Sequence, residues 1–168
     1  AGLTKKMGLG CEILAIDTWL GSSNHLSKPG RRAELAPEFG YPSLYKTFLA
    51  NVKSSGHEDV IVPLPMDGMS AAYALRRLGV KADVIHIDAS HEYEACLGDF
   101  RNYWDLLDDN GILICDDYGT WPEVTRAVCH FAAEVDRPVF ASMNKALLPK
   151  KPDLGFDMKV VRSRTYKR

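Results

Sequence analysis

Short apolar runs closed by turn residues alternate along this chain with stretches that carry an apolar residue every three or four positions. Residues 11–16 form the first run and end at Asp17, which predicts a buried strand. Residues 18–42 are rich in Gly, Ser, Pro and charge, and read as a long loop. Residues 43–54 place Leu44, Tyr45, Phe48, Leu49 and Val52 on one helical face, with Gly56 as a stop. Residues 59–64 predict a second strand, closed by Pro65, and residues 70–78 a helix ending at Gly79. A third strand over 82–87 ends at Asp88. A helix over 93–107 aligns Leu97, Phe100, Trp104 and Leu107. A fourth strand over 111–115 ends at Asp116 and Asp117. Thr120 to Glu123 read as a capping box, with Pro122 in the first turn, opening a helix that carries Val124, Val128, Phe131 and Val135. Residues 138–142 and 156–161 predict two late strands, the second alternating and at an edge.

Strands alternating with helices predict an α/β fold with a mostly parallel sheet, helices on both faces and an antiparallel edge strand. The 168 residues suit one domain, 1–168, with residues 162–168 as a basic tail. The chain is 46% hydrophobic and 26% charged with a net charge of -1. Nothing in that balance points to a nucleic acid or a membrane. No apolar stretch reaches the roughly 20 residues that a bilayer span requires, and no signal peptide is recognisable. Cys11, Cys96, Cys115 and Cys129 show no paired spacing. They read as reduced, mostly buried residues of a cytoplasmic protein.

In parallel sheets ligands bind at the carboxyl ends of the strands. Three of the four central strands end in aspartate: Asp17, Asp88 and Asp116, the last with Asp117. An acid at a strand end also serves as a turn former, but three of them favour a site. Asp17 stands where such folds hold ribose hydroxyls, or it caps a turn. Asp88 and Asp116 lie 28 positions apart, one strand–helix–strand unit, so their strands are expected neighbours. Carboxylates this close either shift their proton affinities or hold a cation. All-oxygen donors suit Mg²⁺ or Mn²⁺. His91, three residues past Asp88, is either a general base or a helix-start residue with a local hydrogen bond. Trp19 and Tyr118 each follow a strand-end acid closely and are candidates to line a pocket. The other aromatics, Trp121 among them, read as packing. No glycine-rich turn follows a strand in the nucleotide-binding pattern. Gly8-Leu9-Gly10 precedes a strand and reads as a helix stop.

The segment from Ile87 through Asp88-Ala89-Ser90-His91-Glu92-Tyr93-Glu94, the helix end Leu106 to Gly111, and Asp116-Asp117-Tyr118 resemble the second half of class I S-adenosylmethionine-dependent methyltransferases. The group most similar is that of the macrocin-type sugar O-methyltransferases. Residues 11–21, with Ile16-Asp17-Thr18-Trp19-Leu20-Gly21, look like that family's second strand and following loop. The resemblance implies a Rossmann-like fold. It implies that Asp17 and Ser70 contact the cofactor, with Trp19 as the candidate pocket residue beside Asp17, and that Asp88, Asp116 and Asp117 hold a divalent metal. His91 falls where catechol-type relatives carry a lysine base. The family's first strand and glycine-rich loop are not found. The chain opens in what reads as the end of a helix, so we expect an N-terminally truncated domain, with edges that promote homodimerisation or strand exchange.

The expected activity is metal-assisted methyl transfer to a hydroxyl of a small molecule: a sugar, polyol or phenol. In this reading Asp88 and His91 act at the reacting oxygen. The rival readings are a non-catalytic remnant of the same fold and a metal-dependent hydrolase. A nicotinamide-dependent enzyme is disfavoured, since the sequence has neither GxGxxG nor a Tyr-x-x-x-Lys pair.

Overall fold

The computed structural model describes residues 1–28 and 30–152. Two compact units divide the chain, residues 1–71 and 72–168. The expected strand over 156–161 and the basic tail lie outside the described residues.

In the first unit, helix α1 (Gly2–Lys6) stops at Gly8, whose φ of 65° only glycine adopts freely. This matches the reading of Gly8 as a helix stop. Strand β1 (Ile13–Asp17) follows, starting two residues past Cys11, which is exposed rather than buried. The stretch expected to be one long loop carries short elements instead. They are helix α2 (Ser23–Ser27), a 3₁₀ turn (Arg31–Leu35), and the two-residue strands β2 (Pro37–Glu38) and β3 (Tyr41–Pro42). None is long enough to show a period in the sequence. Helix α3 (Leu44–Ser54) precedes strand β4 (Ile61–Pro65). β1 and β4 pair in parallel, with Asp17 opposite Pro65. Helix α4 (Gly68–Arg77) crosses the boundary between the units.

The second unit continues with strand β5 (Ala82–Ile87), helix α5 (Tyr93–Trp104), strand β6 (Leu107–Cys115) and helix α6 (Pro122–Glu134). Strands β7 (Phe140–Ser142) and β8 (Lys145–Pro149) close it. The sheet order is β5-β6-β8-β7. β5 and β6 are parallel, while β8 runs antiparallel to both β6 and β7. The expected helix over 93–107 is shorter: Leu107 leaves it to pair with Ala82 as the first residue of β6. Gly111 suits the close approach within this strand pair, because a Cβ would sit 3.0 Å from the Ala82 and Asp108 carbonyl oxygens and force the backbone to give.

The core of this unit lies between the sheet and the pair α5 and α6. Leu97, Phe100, Leu113, Val128, Phe131 and Leu148 are among its buried residues. Phe131 meets Phe100 tilted at 5.7 Å and Trp104 edge-on at 5.4 Å, the geometries that aromatic quadrupoles favour. The anticipated capping box is not formed. Trp121 is the N-cap of α6 without a side-chain bond, and Pro122 holds the first helical position. Thr125 substitutes, its Oγ1 accepting the Gly119 N–H at 2.9 Å and donating to the Trp121 carbonyl at 3.1 Å.

Candidate functional site

Asp88 lies just past the end of β5, and Asp117 just past the end of β6. Parallel pairing sets both carboxyl ends on the same side of the four-stranded sheet, with Ile87 opposite Cys115. Asp88, His91 and Asp117 there offer ligand atoms that all lie within 4.8 Å of one another. His91 Nε2 is 3.0 Å from Asp117 Oδ2. The Trp121 ring stacks on the imidazole, centroids 4.4 Å apart and planes 21° from parallel. Below this group, Cys96 Sγ donates to the Ser90 carbonyl at 2.8 Å, which ties the loop before α5 to the core. Burial pushes the Cys96 thiol up to about 11, so it stays protonated.

Asp116 faces a different set of partners. Its Oδ1 accepts from Asn144 Nδ2 at 2.9 Å and from the Asp117 N–H at 2.8 Å. Its Oδ2 pairs with Lys145 Nζ and lies 3.3 Å from His86 Nε2. The Lys145 hydrogen bond holds this carboxyl below the usual carboxylate range, against an opposing effect of burial. The three aspartates expected together are thus divided: Asp88 and Asp117 join His91, while Asp116 joins Asn144, Lys145 and His86.

In the first unit, Asp17 Oδ1 accepts the Trp19 N–H at 2.8 Å. Trp19 has a φ of 52° and packs against Tyr45 and Phe48 at centroid distances of 4.8 and 4.9 Å. Beside it a cavity of about 330 Å³ is lined by Thr18, Trp19, Leu20, Tyr41, Tyr45 and Met66, among others. Ser70 lies in the first turn of α4, where its N–H is bonded to Asp67 Oδ1 at 2.9 Å.

A family model described as a methyltransferase domain matches residues 3–118. The chain belongs to this family. The match contains every site residue anticipated from the sequence, from Asp17 to Asp117. The methyltransferase domain also resembles solved structures. The O-methyltransferase NovP superposes with a TM-score of 0.63 at 16% identity, covering 88% of this chain and 64% of that one. For the calicheamicin methyltransferase CalS11 the TM-score is 0.56 at 18% identity, covering 82% and 60%. For the S-adenosylhomocysteine-bound methyltransferase PaMTH1 of Podospora anserina it is 0.51 at 20% identity, covering 82% and 70%. At such identities the likeness establishes the Rossmann-like methyltransferase fold. The chain spans less than two thirds of the length of NovP and CalS11. No curated protein matches it.

Trp121, Asn144, Lys145 and His86 were not among the residues anticipated for the site. Trp121 carried a signal, as an aromatic close behind a strand-end acid pair. Lys145 and Asn144 carried none, because only the antiparallel pairing of Cys115 with Ala146 brings them to Asp116.

Proposed function

We propose that this methyltransferase domain performs S-adenosylmethionine-dependent O-methylation of a small hydroxylated molecule, with Asp88, His91 and Asp117 activating the acceptor hydroxyl. The single observation that carries this reading is the convergence of those three side chains at one strand edge. Family membership supports the cofactor, and the hydroxyl acceptor is argued from the trio's chemistry. When bound, the cofactor supplies an electrophilic sulfonium methyl. Asp17 would accept hydrogen bonds from its ribose, as acids at this strand end do. Trp19 and Tyr45 offer aromatic walls to a planar base, and Ser70 stands in the first turn of α4.

Two carboxylates and an imidazole whose ligand atoms lie within 4.8 Å of one another form a mixed oxygen and nitrogen donor set, which fits Mn²⁺ better than the oxygen-preferring Mg²⁺. Asp88, His91 and Asp117 would hold the ion. A bound divalent cation supplies Lewis acidity that lowers the proton affinity of a hydroxyl. With the hydroxyl proton passed to solvent, the oxygen would be placed to take the cofactor's methyl, the new O–CH₃ bond replacing the S–CH₃ bond and leaving a neutral thioether. Positioning supplies much of the acceleration.

A second reading of the same trio needs no metal. The 3.0 Å contact between His91 Nε2 and Asp117 orients the ring and leaves Nδ1 to take the acceptor's proton. Sugars, polyols and phenols all suit either version.

Transfer of labelled methyl from the cofactor to a panel of hydroxylated acceptors, with Mg²⁺ or with a chelator, tests the proposal. Transfer that depends on Mg²⁺ supports the metal version, and transfer indifferent to chelation supports the His91 base. Hydrolysis of an ester by the chain, without any methyl transfer, would favour the hydrolase alternative and overturn the proposal.

A further inference from the structure

β5 and β6 do not pair evenly. Ala82 faces Leu107 and Val84 faces Ile112, so Asp83 alone on β5 stands opposite Asp108 to Gly111 on β6. The surplus residues bulge out of the ladder. In this bulge Asn110 is exposed and Gly111 is buried. The Asn110 N–H donates to Asp108 Oδ1 at 3.1 Å, which folds the bulge on itself. Lys151 arrives from just past β8, and its Nζ donates to Asn110 Oδ1 at 2.7 Å. The Lys150 N–H, bonded to the Gly111 carbonyl at 2.8 Å, ties that segment to the bulge.

Among the asparagines of the sequence, only Asn110 is followed by glycine. Glycine has no Cβ to keep its backbone nitrogen away from the preceding side-chain amide, and its dihedrals are the least restricted. The Lys151 ammonium acts on the other reactant. It draws electrons from the Asn110 amide carbon and sits where negative charge would gather on Oδ1 during attack.

We infer that Asn110 is a self-modification site, deamidating through a cyclic imide with Lys151 as its oxyanion donor. The Gly111 nitrogen attacks Asn110 Cγ and gives its proton to solvent. A Cγ–N bond forms, the Cγ–Nδ2 bond breaks, and Nδ2 leaves as ammonia after taking a proton from water. Water then adds to one of the imide carbonyls, and the ring opens to aspartate or isoaspartate at position 110. Water is the only co-reactant. Either product puts a carboxylate beside the Lys151 ammonium. Isoaspartate also lengthens the backbone next to Gly111, where a Cβ would already lie 3.0 Å from the Ala82 and Asp108 carbonyl oxygens, so the ladder must give to hold it. None of this depends on methyl transfer.

The test is to age the 168-residue chain in mildly alkaline buffer and map its peptides by mass spectrometry, with chromatography to separate the two products. Asn110 should convert about ten-fold faster than Asn24, Asn51, Asn102 and Asn144, a barrier difference of about 1.4 kcal/mol. Lys151→Met should slow Asn110 about five-fold, less than the roughly hundred-fold of an enclosed oxyanion donor, because this contact is open to water. Lys151→Arg keeps a donor and should restore most of the rate. In urea the effect of Lys151→Met should disappear, since only the fold brings Lys151 to Asn110 from 41 positions away. An Asn110 that converts no faster than the other asparagines overturns the inference. So does a Lys151→Met chain that deamidates Asn110 as fast as the parent, or a slowing that persists unchanged in urea.

Discussion

His91 Nε2 lies 3.0 Å from Asp117 Oδ2, so an imidazole at the start of one helix is oriented by an acid at the end of the neighbouring strand. A contact of this kind selects which ring nitrogen carries the proton. Asp117→Asn should therefore lower kcat by roughly a hundred-fold, the lower range for a proton-transfer group. Its KM for S-adenosylmethionine should be unchanged. Steady-state kinetics with labelled cofactor measure both, and a loss confined to KM would contradict this role.

Asp17 should matter for cofactor affinity. Losing a charge-assisted hydrogen bond of about 1.5–3 kcal/mol weakens binding at least ten-fold. Asp17→Ala should show that loss by calorimetry. Asp17→Asn retains an acceptor for the Trp19 N–H and should recover part of it. Equal affinity in all three chains would remove Asp17 from the cofactor site.

The pair Asp116 and Lys145 predicts an acid-side change in stability. Because the folded-state proton affinity of Asp116 is depressed, its contribution is fully present above the unfolded aspartate pKa of about 3.9. It is lost as pH falls through the lower folded value. The Tm gap between the parent and Asp116→Asn should hold steady from pH 7 to about 5 and narrow below about 4. A gap that widens in acid would reverse the assignment.

Phe131 is 1% exposed between Phe100 and Trp104, whereas Leu78 is 77% exposed. Phe131→Ala should cost about 3–5 kcal/mol in urea unfolding through lost burial and a residual cavity. Leu78→Ala should stay within about 0.5 kcal/mol. Comparable losses at the two positions would mean that the packing described around Phe131 does not hold the unit together.

Much of this was legible in the residues. The strand over 82–87 is a short apolar run closed by an acid, and the helix over 43–54 has a clear period and a glycine stop, which are local signals. The acids at 17, 88, 116 and 117 stand out because they close apolar runs. Less was legible between 18 and 42, where α2, the 3₁₀ turn and the β2–β3 hairpin are too short for any period to appear. Leu107 suited a helical stripe as well as a strand, and its pairing with Ala82 decided the matter.

The sequence by itself determined the α/β alternation, the family, and the placing of acids at strand ends, since each depends on neighbours within a few positions. Tertiary structure alone decided which acids act together. Asp116 and Asp117 are adjacent in the chain, but a left-handed turn at Asp117 and the antiparallel arrival of Lys145 on β8 send their carboxylates to different partners. That division depends on backbone dihedrals and on a strand pairing 29 residues away, and no local pattern of residue types encodes either one.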